Sequence, residues 1–150
     1  MSSRKIEDCS IPMQATLAEF ELQLTGSGID FVRSCTYRSS DEQNALYAQG
    51  RTAPGFVVTW AKGGQSPHND ISAGMPCHQP AEDGDIPASN AADYYPLLHG
   101  KLCGTLTDRE LALWTKMGQI GAACGLEWGG NWTARKKDMP HFQLPKEKRP

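Results

Sequence analysis

"IDFVRSCTYRSSDEQNALYAQG", residues 29–50, changes character in its middle. Residues 29–38 mix β-branched and aromatic side chains as a strand does. From Ser39 onward, Ser and Asp suit a helix cap, Asp41 and Glu42 put acid in the first turn, and Gly50 stops the helix. A strand therefore hands over to a helix at Tyr37 and Arg38.

The same alternation of element types extends outward. Residues 13–24, "MQATLAEFELQL", place apolar groups at helical spacing, and "TGSG" ends them with two glycines. "FVVTW" (56–60) reads as a short strand, and the Pro-, Gly-, Asp- and Ser-rich residues 70–90 read as loop. "AADYYPLL" (91–98) is strand-like, "TDRELALWTKMGQIGAACG" (107–125) is a capped helix with a glycine stop, and "MPHFQL" (139–144) is a last short strand. The expected fold is α+β, with helices packed on a small, mostly antiparallel sheet.

Composition bounds the function. A chain of 150 residues, 39% hydrophobic and 21% charged, is about one domain with a real core. One site is therefore expected, within a single domain over 1–150 whose core runs from about 13 to 144. A net charge of −2 without a long basic run recommends neither nucleic acid nor an anionic membrane as partner, and the basic tail ("RKK", "KEKRP") reads as solvated. Five scattered cysteines, Cys9, Cys35, Cys77, Cys103 and Cys124, form no CxxC pair and read as reduced thiols. "MSSRKIEDCSIP" lacks an apolar core of signal-peptide length, and no run approaches the ~20 apolar residues of a membrane span. Synthesis in a cytoplasm, no membrane insertion, and a chance sequon at Asn131 are the corresponding expectations. A monomer is expected.

The histidines fall at informative places. His68 sits in "SPHND" after the possible strand 56–60, Asp93 lies within the strand 91–98, and His141 opens the last strand. Two imidazoles and a carboxylate can hold zinc and leave its fourth position for water. On spacing alone, isolated loop histidines are more often structural or solvated. Asp70, His78, Asp83 and Asp85 are rival ligands in the loop.

The local contexts carry more. "TYRSSDEQNALYAQGRT", "SPHN", "SNAADYYP", "GLEWGGNW" and "DMPHFQL", in this order, resemble the zinc peptidases that include D-alanyl-D-alanine carboxypeptidases and L-alanyl-D-glutamate endopeptidases. The resemblance covers roughly residues 30 to 144 and is nearest to single-domain phage endolysins. It implies the fold of the Hedgehog/D-Ala-D-Ala-peptidase group. It also implies zinc bound by His68, Asp93 and His141, Asp138 as general base, and Arg38 in substrate or transition-state binding. The Ser-x-His of the family is Ser66 to His68, its Ala-x-Asp is Ala91 to Asp93, and its acid-x-x-His is Asp138 to His141. A long insertion separates His68 from Asp93, unlike the compact motif of many relatives. Asp93 is preferred to its rivals because "SNAAD" keeps the Ala-x-Asp part and because an alternating strand holds a ligand rigidly.

The residue types fit the chemistry. Zinc lowers the pKa of a bound water toward ~7 and polarises a carbonyl, and a carboxylate three residues before His141 can take the water's proton. Arg38 offers a fork of donors for a carboxylate or an oxyanion. Its bland alternative is a surface salt bridge with Asp41 or Glu42, as that of Asp138 is a solvated carboxylate beside "RKK". Ser66 is expected to support the first ligand, Gln43 to face either the site or solvent, and Trp128 to line a groove or to pack in the core. By resemblance the substrate is bacterial peptidoglycan, cut at the L-alanyl-D-glutamate bond by an endolysin made in the host cytoplasm and acting on the wall after release. The alternatives are a D-Ala-D-Ala carboxypeptidase, a non-catalytic zinc-containing wall-binding module, and a glycosidase using Glu127 and Asp138.

Overall fold

A computed structural model of the chain describes residues 2–72 and 84–150. Among the described residues, three α-helices accompany one antiparallel sheet. Helix α1 (Ile11–Gly26) starts at Ser10, whose hydroxyl accepts the Met13 N–H at 3.3 Å, and carries Pro12 in its first turn. Met13, Leu17, Phe20 and Leu24 recur at helical spacing and are all buried. Helix α2 (Ser40–Ala48) is capped by Ser39, which accepts the Glu42 N–H at 3.2 Å. Helix α3 (Asp108–Ala123) opens with a reciprocal cap between Thr107 and Glu110.

The sheet runs in the order β1 (Phe31–Cys35), β2 (Ala91–Leu98), β5 (His141–Gln143), β4 (Glu127–Trp128), with β3 (Lys101–Leu102) paired to β2 beyond its contact with β5. The β2–β3 turn is His99–Gly100, both at positive φ (52° and 75°), the geometry of the tight hairpin turn that matches strand twist. Because side chains alternate along a strand, register decides the site. Asp93 pairs with His141 and Ala92 with Phe142, so Phe142 and Tyr94 face the helices while Asp93, His141 and Gln143 face the other way.

The helix side is packed without slack. Phe20, Tyr94 and Phe142 meet ring to ring at 4.8 to 6.1 Å. Helix α3 turns Gly118 and Gly121 to the sheet, and a Cβ on Gly118 would overlap the Trp128 ring, while one on Gly121 would lie 2.6 Å from Phe142. This contact seats β4 and β5, and hence His141.

Several expected boundaries move. The strand expected over 29–38 is shorter, Phe31–Cys35, and the one expected over 139–144 is His141–Gln143. Residues 56–60 are not a strand. Phe56 is 88% exposed, and side chains meet this backbone where a neighbouring strand would have done so. Arg51 Nη2 donates to the Thr59 carbonyl at 3.1 Å, and Gln43 Nε2 to the Ala61 carbonyl at 2.8 Å. Of the loop expected over 70–90, the described ends are pinned by bridges from Ile71 to Pro87 and from Cys9 to Ser89. Cys77, His78 and Asp83 lie outside the described residues. Cys9, Cys35, Cys103 and Cys124 are free thiols, and among the described residues no helix is long and apolar enough to cross a membrane.

Candidate metal centre and groove

His68 is built into a single 3-10 turn, Pro67–Asn69, which Ser66 caps by accepting the His68 N–H at 3.3 Å. Two bonds tie that turn to Arg38, in the segment between β1 and α2. The Arg38 N–H donates to the His68 carbonyl at 3.0 Å, and Asn69 Nδ2 donates to the Arg38 carbonyl at 2.8 Å. The His68 ring is oriented by its Nδ1–H, which donates to the Thr36 carbonyl at 2.6 Å and leaves Nε2 pointing at β2 and β5.

There it meets two other donors. His68 Nε2 is 3.1 Å from Asp93 Oδ1 and 3.2 Å from His141 Nδ1, and the last two are 3.4 Å apart. A tetrahedral zinc with bonds of 2.0–2.1 Å separates its ligand atoms by about 3.3 Å, so this triangle can face one ion without rearrangement. Asp93 and His141 are cross-strand partners, which explains why residues 48 positions apart converge. A second trio, Cys35, His68 and Asp93, has donor atoms within 4.8 Å of one another. It fits less well. The Cys35 sulfur lies 3.8 Å from His68 Nδ1, the nitrogen already committed to Thr36, so thiol and carboxylate address different edges of the ring.

The trio is also supported from behind. His141 Nε2–H donates to Gln143 Oε1 at 2.8 Å, and Gln143 Nε2 donates to Glu127 Oε2 at 2.8 Å. Gln143 has no role in the sequence reading, and Glu127 enters it only as half of a carboxylate pair with Asp138. Gln143 was accessible to the period-2 rule, since it follows His141 by two; Glu127 required the β4–β5 register. The Trp132 ring lies 5.1 Å from the His141 ring.

Charges in this cluster oppose one another. Burial disfavours a charged His68, but the Asp93 carboxylate outweighs it and pushes the imidazole up to about 10. Burial likewise raises Asp93, yet His68 and His141 hold it well below the usual carboxylate range. Arg38 Nη2 approaches Asp93 Oδ2 at 3.7 Å, and its Nη1 donates to Gln43 Oε1 at 3.0 Å. Arg38 thus faces the cluster, not Asp41 or Glu42. Gln43 is 1% exposed and turned inward, with its amide nitrogen anchored on Thr59 and Ala61.

Asp138 lines the same groove, of about 720 Å³, as Arg38, His68, Asp93 and His141. Its N–H donates to the Gly129 carbonyl at 3.0 Å and its carbonyl accepts the His141 N–H at 3.2 Å. Gly129 permits this, because a Cβ there would overlap the Asp138 carbonyl. Desolvation in the groove wall, then Asp93, raise the Asp138 carboxyl against the opposing pull of His141, His68 and Arg38. Trp128 is no groove wall. It stacks on Phe142 in the core and donates Nε1–H to the Met139 carbonyl at 2.7 Å. Asp70 and Asp85 line a different cavity, with Asp70 accepting from Asn90 at 2.7 Å, and Glu127 is engaged by Gln143 instead of facing Asp138 across a cleft.

Residues 75–144 match the M15 peptidase family model described as D-alanyl-D-alanine carboxypeptidase, a span that holds Asp93, Asp138 and His141 and starts after Arg38 and His68. The peptidoglycan L-alanyl-D-glutamate endopeptidase CwlK of Bacillus subtilis (strain 168) is 36% identical over 117 residues, or 78% of this chain, and the chain spans 62% of that relative's length. The crystal structure of the L-Ala D-Glu endopeptidase ChiX of Serratia marcescens matches with a TM-score of 0.53 at 17% identity, covering 98% of this chain and 90% of that one, so the two share a fold. The resemblance read from the motifs and the expected α+β fold both hold.

Proposed function

We propose, on the premise that this chain resembles the M15 peptidoglycan peptidases, that it is a zinc-dependent peptidase. Its reaction is hydrolysis of peptidoglycan stem peptides at the L-alanyl-D-glutamate bond, and its role is bacteriolysis as an endolysin. The observation that carries this reading is the triangle of His68 Nε2, Asp93 Oδ1 and His141 Nδ1, with edges of 3.1 to 3.4 Å. These are borderline-soft nitrogen donors with one carboxylate, on the floor of an open groove, as a catalytic zinc site requires.

Zinc bound there supplies Lewis acidity, which polarises the scissile carbonyl and lowers the pKa of a water toward ~7. The chain's own residues do the rest. Asp138 takes a proton from the attacking water and delivers it to the leaving amine. Asp138 is exposed at the groove, and a carboxyl raised by partial desolvation there and by Asp93 is better matched to that exchange near neutral pH than an ordinary one. Arg38, fixed by Gln43, presents its guanidinium to the carbonyl oxygen as negative charge develops on it. Thr36, Gln143 and Glu127 hold the two imidazoles in their tautomers, so the donors need not reorganise when the ion arrives.

Mass spectrometry of digested peptidoglycan tests the reading. New amino ends on D-glutamate support it, and their loss in chelator with return on added zinc supports the metal. Released D-alanine would assign the carboxypeptidase reaction named in the family description, new reducing sugar ends a glycosidase, and binding without cleavage a wall-binding module.

A further inference from the structure

The groove carries charge of the opposite sign to the whole chain. The sequence has 15 Lys and Arg against 17 Asp and Glu. Around the groove six cations, Arg38, Arg135, Lys136, Lys137, Lys146 and Arg149, stand against two carboxylates, Asp93 and Asp138. Asp93 is already engaged by the two imidazoles. Among the described residues, Lys136, Lys137 and Lys146 form no salt bridge, so their charge is uncompensated.

The rim is also held in place. Trp60 donates its indole N–H to the Arg135 carbonyl at 2.9 Å, and the Arg135 guanidinium lies 5.1 Å from the Trp60 ring centre. On the other side Arg51 sits 5.5 Å from that ring and 3.9 Å from the Tyr47 ring. A ladder of alternating rings and guanidiniums therefore joins helix α2 to the 133–137 segment. It packs no part of the core, since Trp60 is 48% exposed. A low-dielectric wall with clustered cations concentrates its field inside the cleft.

We infer that the groove selects stem peptides by their free carboxylates. Arg135, Lys136 and Lys137, which line the same groove as Arg38, recognise a stem whose D-glutamate α-carboxylate is free and discriminate against the same stem amidated there. This rests on the peptidase reading above and adds a substrate class to it. Exposed charge pairs are individually weak, so three cations together predict a preference of about three- to tenfold, diminished by salt.

Two synthetic stem peptides, identical except that one bears an α-amide on D-glutamate, are titrated against the zinc-loaded protein. Binding is followed by tryptophan fluorescence and cleavage by mass spectrometry. The wild type is expected to bind the free stem about three- to tenfold more tightly, with the difference in KM and not in kcat. The triple variant Arg135→Gln/Lys136→Gln/Lys137→Gln should bind both alike, with its zinc content and melting temperature unchanged. Equal binding of the two stems by the wild type, or undiminished preference in the triple variant, overturns the inference while leaving cleavage intact. Preference in binding without cleavage of either stem refutes the peptidase reading but retains the charge selection. A short poly(glycerol phosphate) that binds more tightly than the free stem would assign the rim to a phosphate polymer and overturn it as well.

Discussion

His68 Nε2 and His141 Nδ1 lie 3.2 Å apart although 73 residues separate them in the chain. Two imidazole nitrogens at that distance need a proton or a cation between them, and Asp93 Oδ1 completes the set. His68→Ala, Asp93→Ala and His141→Ala should each lose stoichiometric zinc, as read by metal analysis of purified protein. Cys35→Ser should keep it. Zinc retained by Asp93→Ala and lost from Cys35→Ser would move the site to the thiol side of His68.

Protons compete with the metal for this cluster. His68 is pushed up to about 10 beside Asp93, so the metal-free protein carries a proton there at pH 7, and zinc must displace it. Calorimetry in buffers of different ionisation enthalpy should find release of about one proton per zinc at pH 7. The same pair sets the stability of chelated protein. His68, raised from 6.5, contributes fully below that value and loses its contribution as pH climbs through about 10. Asp93, lowered from 3.8, contributes above that value and loses its contribution as pH falls further. Chelated protein should be most stabilised by the pair between 3.8 and 6.5, and the extra stability from zinc should grow as pH rises above that window. Proton release near zero would contradict the ion-paired state.

Gln143 links His141 to Glu127 through two bonds of 2.8 Å. Gln143→Leu removes the acceptor for His141 Nε2–H at similar volume, and zinc affinity should fall by about 10- to 100-fold. Competition with a chromogenic chelator reads it. Glu127→Gln, one bond further out, should have the smaller effect; unchanged affinity in Gln143→Leu would make the relay an incidental surface contact.

Packing of α3 on the sheet yields a stability prediction remote from the groove. Gly118→Ala drives a methyl into the Trp128 ring and should cost about 1–3 kcal/mol in chemical denaturation. Gly26→Ala meets open space near a helix end and should be neutral or stabilising by up to about 1 kcal/mol. Equal effects at the two positions would mean that α3 is not seated as described.

Local rules reached some of this architecture and not the rest. Ser39 and Thr107 act as the caps that their positions suggest, because capping depends on residues three apart, whereas Ser10 starts α1 two residues before the expected helix. "FVVTW" has strand composition without strand pairing, and pairing is a property of distant chain. Trp128 read equally as groove wall or core, since nothing local reveals that the two α3 glycines make room for its ring and for Phe142. The convergence of His68, Asp93 and His141 was visible only through the resemblance. Strand register brings Asp93 to His141, and the Arg38 N–H and the Asn69 side-chain amide bring in His68.

Asp138 separates the catalytic account from a merely metal-binding one. Asp138→Asn keeps the volume, leaves the three donors untouched and removes the proton acceptor, so zinc content and stem-peptide binding should match the wild type. Turnover should fall by about 10²–10⁴-fold, as loss of a general base does. A solvated carboxylate would instead change stability by no more than about 0.5 kcal/mol and turnover hardly at all. The decisive measurement is the rate of L-alanyl-D-glutamate bond cleavage by zinc-loaded Asp138→Asn. The account predicts a folded, fully metallated protein that binds stem peptide and barely cuts it, and near-wild-type turnover at confirmed zinc occupancy would contradict it.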